Sequence, residues 1–186
     1  MRSSRRLLLV ILFLLGLFAL FEALGLRAHF NLHTLQAMLL MHPLVGLLAF
    51  TLLFALGNLI QIPGWVFLAA AVLALGRVYG GIATFFAASV SCVFTYVTIR
   101  YLGGDALRGL DNRLAQRLLA GLDRHPLTSI IALRMMFQTV PALNYALALS
   151  GVPFRTYLLG TLLGLPLPIA LYCLFFDYLV MWLNIV

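Results

Sequence analysis

The sequence predicts an all-helical, polytopic integral membrane protein that contains two re-entrant helical hairpins arranged as an inverted repeat. Hydrophobic residues make up 64% of the 186 residues and charged residues only 9%, whereas a soluble domain carries about 25% charged residues. The apolar half-spans Pro63–Leu75 and Pro141–Leu149 each begin at a proline. Both are shorter than the ~20 residues that a crossing needs. They predict re-entrant segments at about 62–76 and 128–151.

The basic residues lie mainly at the ends of the apolar stretches. The formal net charge is +7, and all 12 basic residues are arginine. Because these arginines do not line one face, they indicate contact with anionic lipid headgroups rather than with nucleic acid. Cys92 and Cys173 lie within apolar stretches and act there as small hydrophobic residues. We therefore expect neither a disulfide framework nor a metal site.

Residues 1–42 are predicted to form an N-terminal transmembrane helix followed by an interfacial amphipathic helix. After three arginines, the apolar stretch from Leu7 to about Leu26 is interrupted only by Glu22, and its length suffices for a crossing. Ala23-Leu24-Gly25 resembles a signal-peptide cleavage site, but in a chain this hydrophobic we expect an uncleaved helix. Residues 28–42 place Leu32, Leu35, Met38 and Leu39 among polar side chains, a spacing that suits an amphipathic helix on the membrane surface.

Residues 43–186 are predicted to form the main membrane domain. An apolar span from Pro43 to Ile60 precedes the first re-entrant segment, in which Pro63 and Gly64 break the helix. A long span follows from Val78 to Tyr101, and its many Gly, Ala and Ser residues allow close helix packing. Leucines at three- and four-residue spacing predict an amphipathic surface helix at about 104–124.

The second half of this domain repeats the order of the first. Residues 128–137 enter the second re-entrant segment, Pro141 breaks it, and a final span runs from Phe154 to about Trp182. We expect that span to be kinked by Gly160, Gly164, Pro166 and Pro168. Paired, interrupted half-spans in the two halves of a chain are typical of a transport site.

Several short motifs together resemble a known domain. In the first half they are Ile62-Pro63-Gly64, Gly76-Arg77-Val78-Tyr79-Gly80 and Arg100-Tyr101-Leu102-Gly103-Gly104-Asp105; in the second half they are Arg134, Pro141, Asn144-Tyr145 and the stretch 157–166. Over about Leu47 to Tyr178 the chain resembles the VTT domain of the DedA / SNARE-associated Golgi protein superfamily. Acidic residues that DedA proteins carry near the first hairpin have no counterpart between Asn58 and Tyr79. The resemblance is therefore closer to the Golgi-type branch than to DedA proper.

This resemblance implies a membrane lipid transporter, a flippase or scramblase that moves phospholipid or polyprenyl phosphate between leaflets. Arginine offers the planar pair of donors that phosphate prefers, and an ionisable group inside a membrane is a functional candidate by default. Arg134 is the first candidate for binding a lipid headgroup, because it lies between apolar neighbours at the start of the second hairpin. The further candidates, each of which could instead anchor the chain at the interface or bond opened backbone, are Arg100, Arg155, Arg77, Asn144 and Tyr145.

Two other functions stay open at this point. Glu22 and Asp177 would take up protons if they are buried, as in a proton-coupled transporter of ions or small solutes. Alternatively, the 104–124 helix would bind partners in a membrane-organising protein that transports nothing. His29 and His33 stand at i, i+4 spacing, but no carboxylate or cysteine completes a metal site. The sequence holds no arrangement typical of a catalytic triad or phosphate loop, so we expect neither an enzyme nor a cofactor.

Membrane lipids, including anionic phospholipid or polyprenyl phosphate, are the expected partners, and the expected location is the bacterial inner (plasma) membrane. The sequence also allows a homo-oligomer. We favour cytoplasmic N and C termini. If residues 62–76 re-enter, however, three crossings separate the N-terminal arginines from the arginine-rich segment 100–124. Those two basic regions then fall on opposite sides, which conflicts with the positive-inside rule.

Overall fold

A computed structural model of the chain describes residues 2–23, 43–110, 112–137 and 140–183. These residues form only helices and their connections, so the predicted all-helical class is confirmed. The helices are α1 (Arg2–Ala23), α2 (Pro43–Leu59), α3 (Gly64–Gly103), a 3₁₀ turn (Ala106–Gly109), α4 (Arg113–Arg124), α5 (Pro126–Phe137), α6 (Ala142–Leu149), α7 (Phe154–Gly164) and α8 (Pro166–Leu183). The predicted interfacial helix at 28–42, with His29 and His33, lies outside the described residues.

Within the described ranges, two helical stretches are long and apolar enough to cross a membrane, Gly64–Gly103 and Phe154–Phe176. The first is divided at Gly76, whose φ of 76° and ψ of 173° are not helical. We call residues 64–75 the first arm of α3 and residues 77–103 its second arm. The second arm alone is roughly 40 Å long at 1.5 Å per residue. The other stretch comprises α7 and most of α8 and bends at Leu165, just before Pro166.

Hairpin 1 consists of α2 and the first arm of α3, with its tip at residues 60–63. The rings of Phe54 and Phe67 stack across it at a centroid distance of 4.5 Å. The chain then reverses again at Gly76. The closeness of the two arms shows this reversal: a Cβ on Gly80 would lie 2.6 Å from the Ala71 carbonyl oxygen. In one continuous helix, residues nine apart would be separated by roughly 13 Å.

The stretch Pro43–Ile60, predicted as a separate span, packs in the structure against the first arm of α3. In the structure, that stretch is the ingoing arm of hairpin 1, and Pro63 marks the tip rather than the entrance. A long apolar run predicts burial equally well for a crossing helix and for a returning one, which is why its pattern did not distinguish the two.

Hairpin 2 consists of α5 and α6, and Val140 and Pro141 lie at its tip. A Cβ on Gly160 of α7 would meet Ile130, and one on Gly164 would meet Arg134. The two contacts advance together along both helices, so α5 and α7 run parallel. The chain must therefore return through α6 before α7 begins.

The two hairpins enter the bundle from opposite ends, and their tips meet near its centre. The base of hairpin 1 lies beside Gly76. At the other end, Ala148 of α6 accepts a hydrogen bond from Arg100 near the end of the second arm, so the base of hairpin 2 lies beside Gly103. At the tips, the Asn144 amide donates to Asn58 Oδ1 at 3.1 Å. The two hairpins thus have opposite orientations within the bundle.

Helices α1 and α8 complete the bundle. Val10 of α1 packs near Gly103, and Arg6 lies near Gly104, so α1 begins at the hairpin 2 end. Cys173 of α8 lies against Gly81, so α8 runs toward the hairpin 1 end. Each end of the bundle has its own apolar core, one built around Phe50, Phe54 and Phe67 and the other around Ile99, Ile130 and Leu147. Polar side chains meet where the two cores adjoin.

Candidate functional site

A set of polar side chains, which we call the tip cluster, gathers where the two hairpin tips meet the second arm of α3 and α7. Helical spacing brings them together, because residues three and four apart share one face of a helix. Ser91 and Thr95 lie on such a face of α3, as do Tyr157 and Thr161 on α7. The members of the tip cluster are Asn58, Ser91, Cys92, Thr95, Arg134, Asn144, Tyr157 and Thr161.

Arg134 is the central member of the tip cluster, and only 2% of it is exposed. Its Nη1 donates to Asn144 Oδ1 at 2.5 Å. Its Nη2 donates to the hydroxyls of Tyr157 at 2.9 Å and Thr161 at 3.2 Å. The guanidinium carbon also lies 5.4 Å from the centre of the Tyr157 ring, within the range of a cation–π contact.

The amides of Asn144 and Asn58 extend this network from hairpin 2 to hairpin 1. Because Arg134 can only donate, the oxygen of Asn144 must face it and the amide nitrogen must point away. That nitrogen donates to Asn58 Oδ1, and Asn58 Nδ2 in turn donates to Ser91 Oγ at 2.9 Å. The hydroxyl of Tyr145 donates to the Leu59 carbonyl at 2.5 Å. The network therefore ties both tips to the second arm of α3.

None of the described groups that contact Arg134 is a carboxylate. An arginine at the centre of a membrane helix costs about 2.5–3.5 kcal/mol on insertion scales. Three hydrogen bonds to neutral groups satisfy part of the guanidinium but supply no opposite charge. The arrangement is hard to explain as a stabilising device, since an apolar side chain of similar volume would often serve the fold better.

A cavity of about 40 Å³ adjoins the tip cluster. Two buried polar atoms, Arg134 Nε and Thr84 Oγ1, have no hydrogen-bond partner among the described residues. Both side chains line this same cavity, together with Asn58, Asn144 and Tyr172. The cavity thus presents one cationic donor and one hydroxyl that the surrounding described side chains leave unbonded.

The structure brings only part of the predicted headgroup site together. Arg134 and Asn144 are in direct contact, and Tyr145 lies beside them at the tips. Arg100 lies instead at the hairpin 2 end, where it pairs with Asp105 and reaches the Ala148 carbonyl at 3.4 Å. Pro63, Gly64 and Pro141 all lie at the hairpin tips, and Gly64 and Pro141 also line the cavity.

Arg155 and Arg77 lie away from Arg134, at opposite ends of the bundle. Arg155 is exposed in the first turn of α7. Arg77 is exposed beside the Gly76 turn and lines an apolar groove of about 480 Å³ between the second arm of α3 and α8. Of the two acids considered for proton coupling, Glu22 is exposed near the end of α1, and the side chain of Asp177 lies outside the described residues.

Sequence reasoning missed most partners of Arg134. Asn58, which bonds to Asn144, was not singled out, and Cys92 was interpreted as a small hydrophobic residue. Tyr157 and Thr161 carried a usable signal, because two polar residues at i, i+4 spacing inside an apolar helix form one polar face. Ser91 and Thr95 repeat that signal on α3. Thr84 offered none of its own, since only the packing of hairpin 2 against α3 brings it near Arg134.

Comparison of the sequence with models of known protein families gives a match that covers most of the residues described above. The VTT domain model matches residues 62–178. The chain belongs to the VTT domain family. It is thereby a member of the DedA / SNARE-associated Golgi protein superfamily, whose proteins are membrane-associated. The matched region contains Arg134, Asn144 and Tyr157 but begins after Asn58. No match was found among curated proteins or among solved structures.

Proposed function

We propose that this VTT domain protein moves phosphate-bearing lipids between the two leaflets of a membrane. The single observation that carries the proposal is Arg134, a fully buried cation at the meeting point of the two hairpin tips with no carboxylate among its described contacts. A lipid phosphate supplies the missing negative charge, and guanidinium is well suited to bind it. We further propose that the membrane is the bacterial inner membrane and that the lipid is moved without chemical conversion.

The hairpin arrangement supports this proposal. If α1, the second arm of α3 and α7–α8 cross the bilayer, hairpins 1 and 2 re-enter it from opposite faces. Non-helical backbone at that depth is tolerated where protein covers it or where it lines a watery cavity. The polar tips meet the first condition, since they are packed against each other and against the second arm of α3. A headgroup entering from either face then meets Arg134 near the halfway point.

The outer surface of the bundle offers a place for the lipid tails. The groove between α3 and α8 is apolar along its length and has Arg77 at one end. Along α3 it extends from Arg77 to Phe85, roughly 12 Å at 1.5 Å per residue. One leaflet contributes about half of the ~30 Å hydrocarbon core, so the groove is comparable in depth to one leaflet. The family supports the same function, because VTT domain proteins are commonly membrane proteins proposed as transporters or lipid-related.

Leaflet exchange in liposomes tests the proposal directly. Purified protein would be reconstituted with fluorescent phosphatidylglycerol, and the fraction of label that becomes accessible to an impermeant quencher would be followed over time. The informative variant is Arg134→Met, because methionine retains much of the aliphatic stem that packs on Gly164 and removes the guanidinium. We expect wild-type protein to accelerate exchange and the variant to be at least about tenfold slower, the effect of one lost charge-assisted hydrogen bond.

Two controls separate function from folding. Arg155→Met makes the same substitution at an exposed arginine that lies away from Arg134. It should leave the exchange rate unchanged. In Arg134→Met, removal of an uncompensated buried charge favours stability, whereas loss of the hydrogen bonds to Asn144, Tyr157 and Thr161 opposes it. Thermal unfolding must therefore show that the variant is folded at the temperature of the exchange assay. Equal exchange rates for wild type and Arg134→Met would contradict the role of Arg134, and no acceleration by wild type would contradict lipid transport.

A further inference from the structure

The cavity beside Arg134 has a chemical character that its lining defines. Arg134 Nε is always a donor and carries part of a positive charge, whereas the Thr84 hydroxyl can donate or accept. Both are buried, Thr84 at 1% exposure, and both lack a partner among the described residues. Leaving a buried polar group unbonded is costly. A ligand that accepts hydrogen bonds from both Arg134 Nε and Thr84 Oγ1 would remove the energetic cost of both unbonded donors.

Water and an oxyanion are the two simple ways to satisfy these donors. A volume of about 40 Å³ has room for on the order of three waters. Water, however, would bond the two donors and leave the charge of Arg134 uncompensated. An oxygen of a phosphate group bonds to both donors and neutralises the charge as well. The enclosing side chains, including Leu68 and Leu165, would strengthen that attraction by excluding bulk solvent.

We propose that this cavity is a phosphate subsite in which Arg134 Nε and Thr84 Oγ1 donate to phosphate oxygens. The inference deepens the proposed function and rests on it for the assumption that the phosphate belongs to a lipid; free inorganic phosphate has the same chemistry. Thr84 is then a binding residue that selects for phosphate. Its unbonded hydroxyl lowers the stability of the unliganded protein and contributes only when the phosphate is bound.

Thr84→Val tests this assignment because it removes the hydroxyl and keeps the shape of the side chain. The matched control is Thr51→Val, at a buried threonine whose hydroxyl donates to the Leu47 carbonyl of its own helix at 2.7 Å. Thermal unfolding in detergent would be measured with sodium phosphate, with short-chain phosphatidic acid, and with sodium chloride at equal ionic strength. A ligand that binds only the folded state raises the unfolding temperature.

We expect wild type and Thr51→Val to be stabilised by at least one of the phosphate ligands beyond the effect of chloride. Thr84→Val should unfold at the same or a higher temperature without ligand, yet bind phosphate about tenfold more weakly. Stabilisation by inorganic phosphate alone would identify free phosphate as the source, and stabilisation by phosphatidic acid alone would identify the lipid headgroup. Equal ligand response in Thr84→Val and wild type, or no response in wild type, would overturn the subsite.

The inference and the proposed function fail in distinguishable ways. If wild type exchanges lipid between leaflets but Thr84→Val responds to phosphate as wild type does, the transport proposal stands and the subsite falls. If wild type moves no lipid but binds phosphate through Thr84, the subsite stands and transport falls. A lower unfolding temperature of unliganded Thr84→Val would instead assign the hydroxyl a structural role and overturn its role as a dedicated ligand donor.

Discussion

At the scale of single residues, Tyr157 connects Arg134 to the second arm of α3 through its hydroxyl. Its hydroxyl accepts from Arg134 Nη2 at 2.9 Å and donates to the Cys92 carbonyl at 3.0 Å. Tyr157→Phe removes both bonds and leaves a buried carbonyl and a buried guanidinium group each with one partner fewer. We expect a loss of about 1–3 kcal/mol in the free energy of unfolding, measured by denaturant titration in detergent. Tyr79→Phe, at a residue that is 73% exposed, should cost little, and equal losses in both variants would contradict this account.

Arg108 and Asp123 provide a residue-scale prediction for pH. Arg108 donates to both carboxylate oxygens of Asp123, at 3.2 and 2.6 Å, and to the Ser150 carbonyl at 2.8 Å. The hydrogen bond from Arg108 lowers the pKa of Asp123 below its ordinary value, with the nearby positive charge acting in the same direction. The stabilisation from this pair is therefore fully present above the ordinary pKa of about 4. It is lost as the pH falls through the lower, folded-state pKa.

The measurement is the unfolding temperature between pH 7 and pH 3 for wild type and Asp123→Asn. Wild type should lose a small increment of stability at the acidic end that the variant does not lose, because Asn has no proton to bind. The pair is exposed, so the increment should shrink in high salt. Parallel pH profiles for the two proteins would contradict a contribution from this pair.

The sequence indicates which residues belong to the candidate site better than it indicates which of them contact each other. Arg134 and Asn144 were recognisable because a charge or an amide within an apolar stretch is costly. Their bonds to Tyr157, Thr161 and Asn58 depend on the parallel packing of α5 on α7 and on the meeting of the two tips. Those are long-range relations between elements, and a local pattern carries no information on which polar side chain meets which.

At the scale of elements, glycine determines how closely the two arms of α3 approach. A Cβ on Gly80 would lie 2.6 Å from the carbonyl oxygen of Ala71 and 2.7 Å from the Cα of Val72. These are backbone atoms, which cannot move aside as a side chain can. Gly80→Ala should therefore destabilise the protein by about 1–3 kcal/mol, the usual cost of overpacking, despite the higher helix propensity of alanine.

Gly121→Ala is the matched substitution in a helix. Its Cβ would lie 3.6 Å from Ser129 Oγ, an ordinary contact, so only the gain in helix propensity of about 1 kcal/mol remains. The two variants should shift the unfolding temperature in opposite directions. A neutral or stabilising Gly80→Ala would show that the arms separate without cost and would contradict the tight turn at Gly76.

The prolines indicate where the helices of the two hairpins are interrupted, but they do not indicate which neighbouring stretches pair to form a hairpin. Pro63 and Pro141 each stand at a hairpin tip, where a missing backbone donor is tolerated. The ingoing arm Pro43–Ile60 was read as a crossing, because an apolar run reports burial and not direction. Likewise, the 104–124 stretch reads as one amphipathic helix, whereas the structure has the 3₁₀ turn Ala106–Gly109 and then α4. The geometry of the chain reversals decides such cases, and it depends on contacts across the bundle.

At the scale of the whole molecule, the structure removes the conflict over the positive-inside rule. Hairpin 1 returns to its own end, so among the described residues only α1 and the second arm of α3 run the length of the bundle between the N-terminal arginines and the segment 100–124. Arg6 consequently lies near Gly104, at the same end as Arg100 and Arg108. Under the proposed membrane placement, both basic regions face the cytoplasm, as the rule favours. The C-terminal end of α8 then faces the opposite side, which departs from the expectation that both termini are cytoplasmic.

Labelling from one side of the membrane tests this topology. Single cysteines would replace Arg6, Arg113 and Arg77, all exposed, and a membrane-impermeant maleimide would be added to intact and to permeabilised cells. The native Cys92 and Cys173 are buried, at 4% and 7% exposure, and should react little; the unsubstituted protein measures their background. We expect cysteines at 6 and 113 to share one side and the cysteine at 77 to react from the other. If 6 and 113 reacted from opposite sides, α2 would have to cross the membrane. Hairpin 1 would then not be re-entrant, and the meeting of two tips from opposite faces, on which the proposed lipid route depends, would be lost.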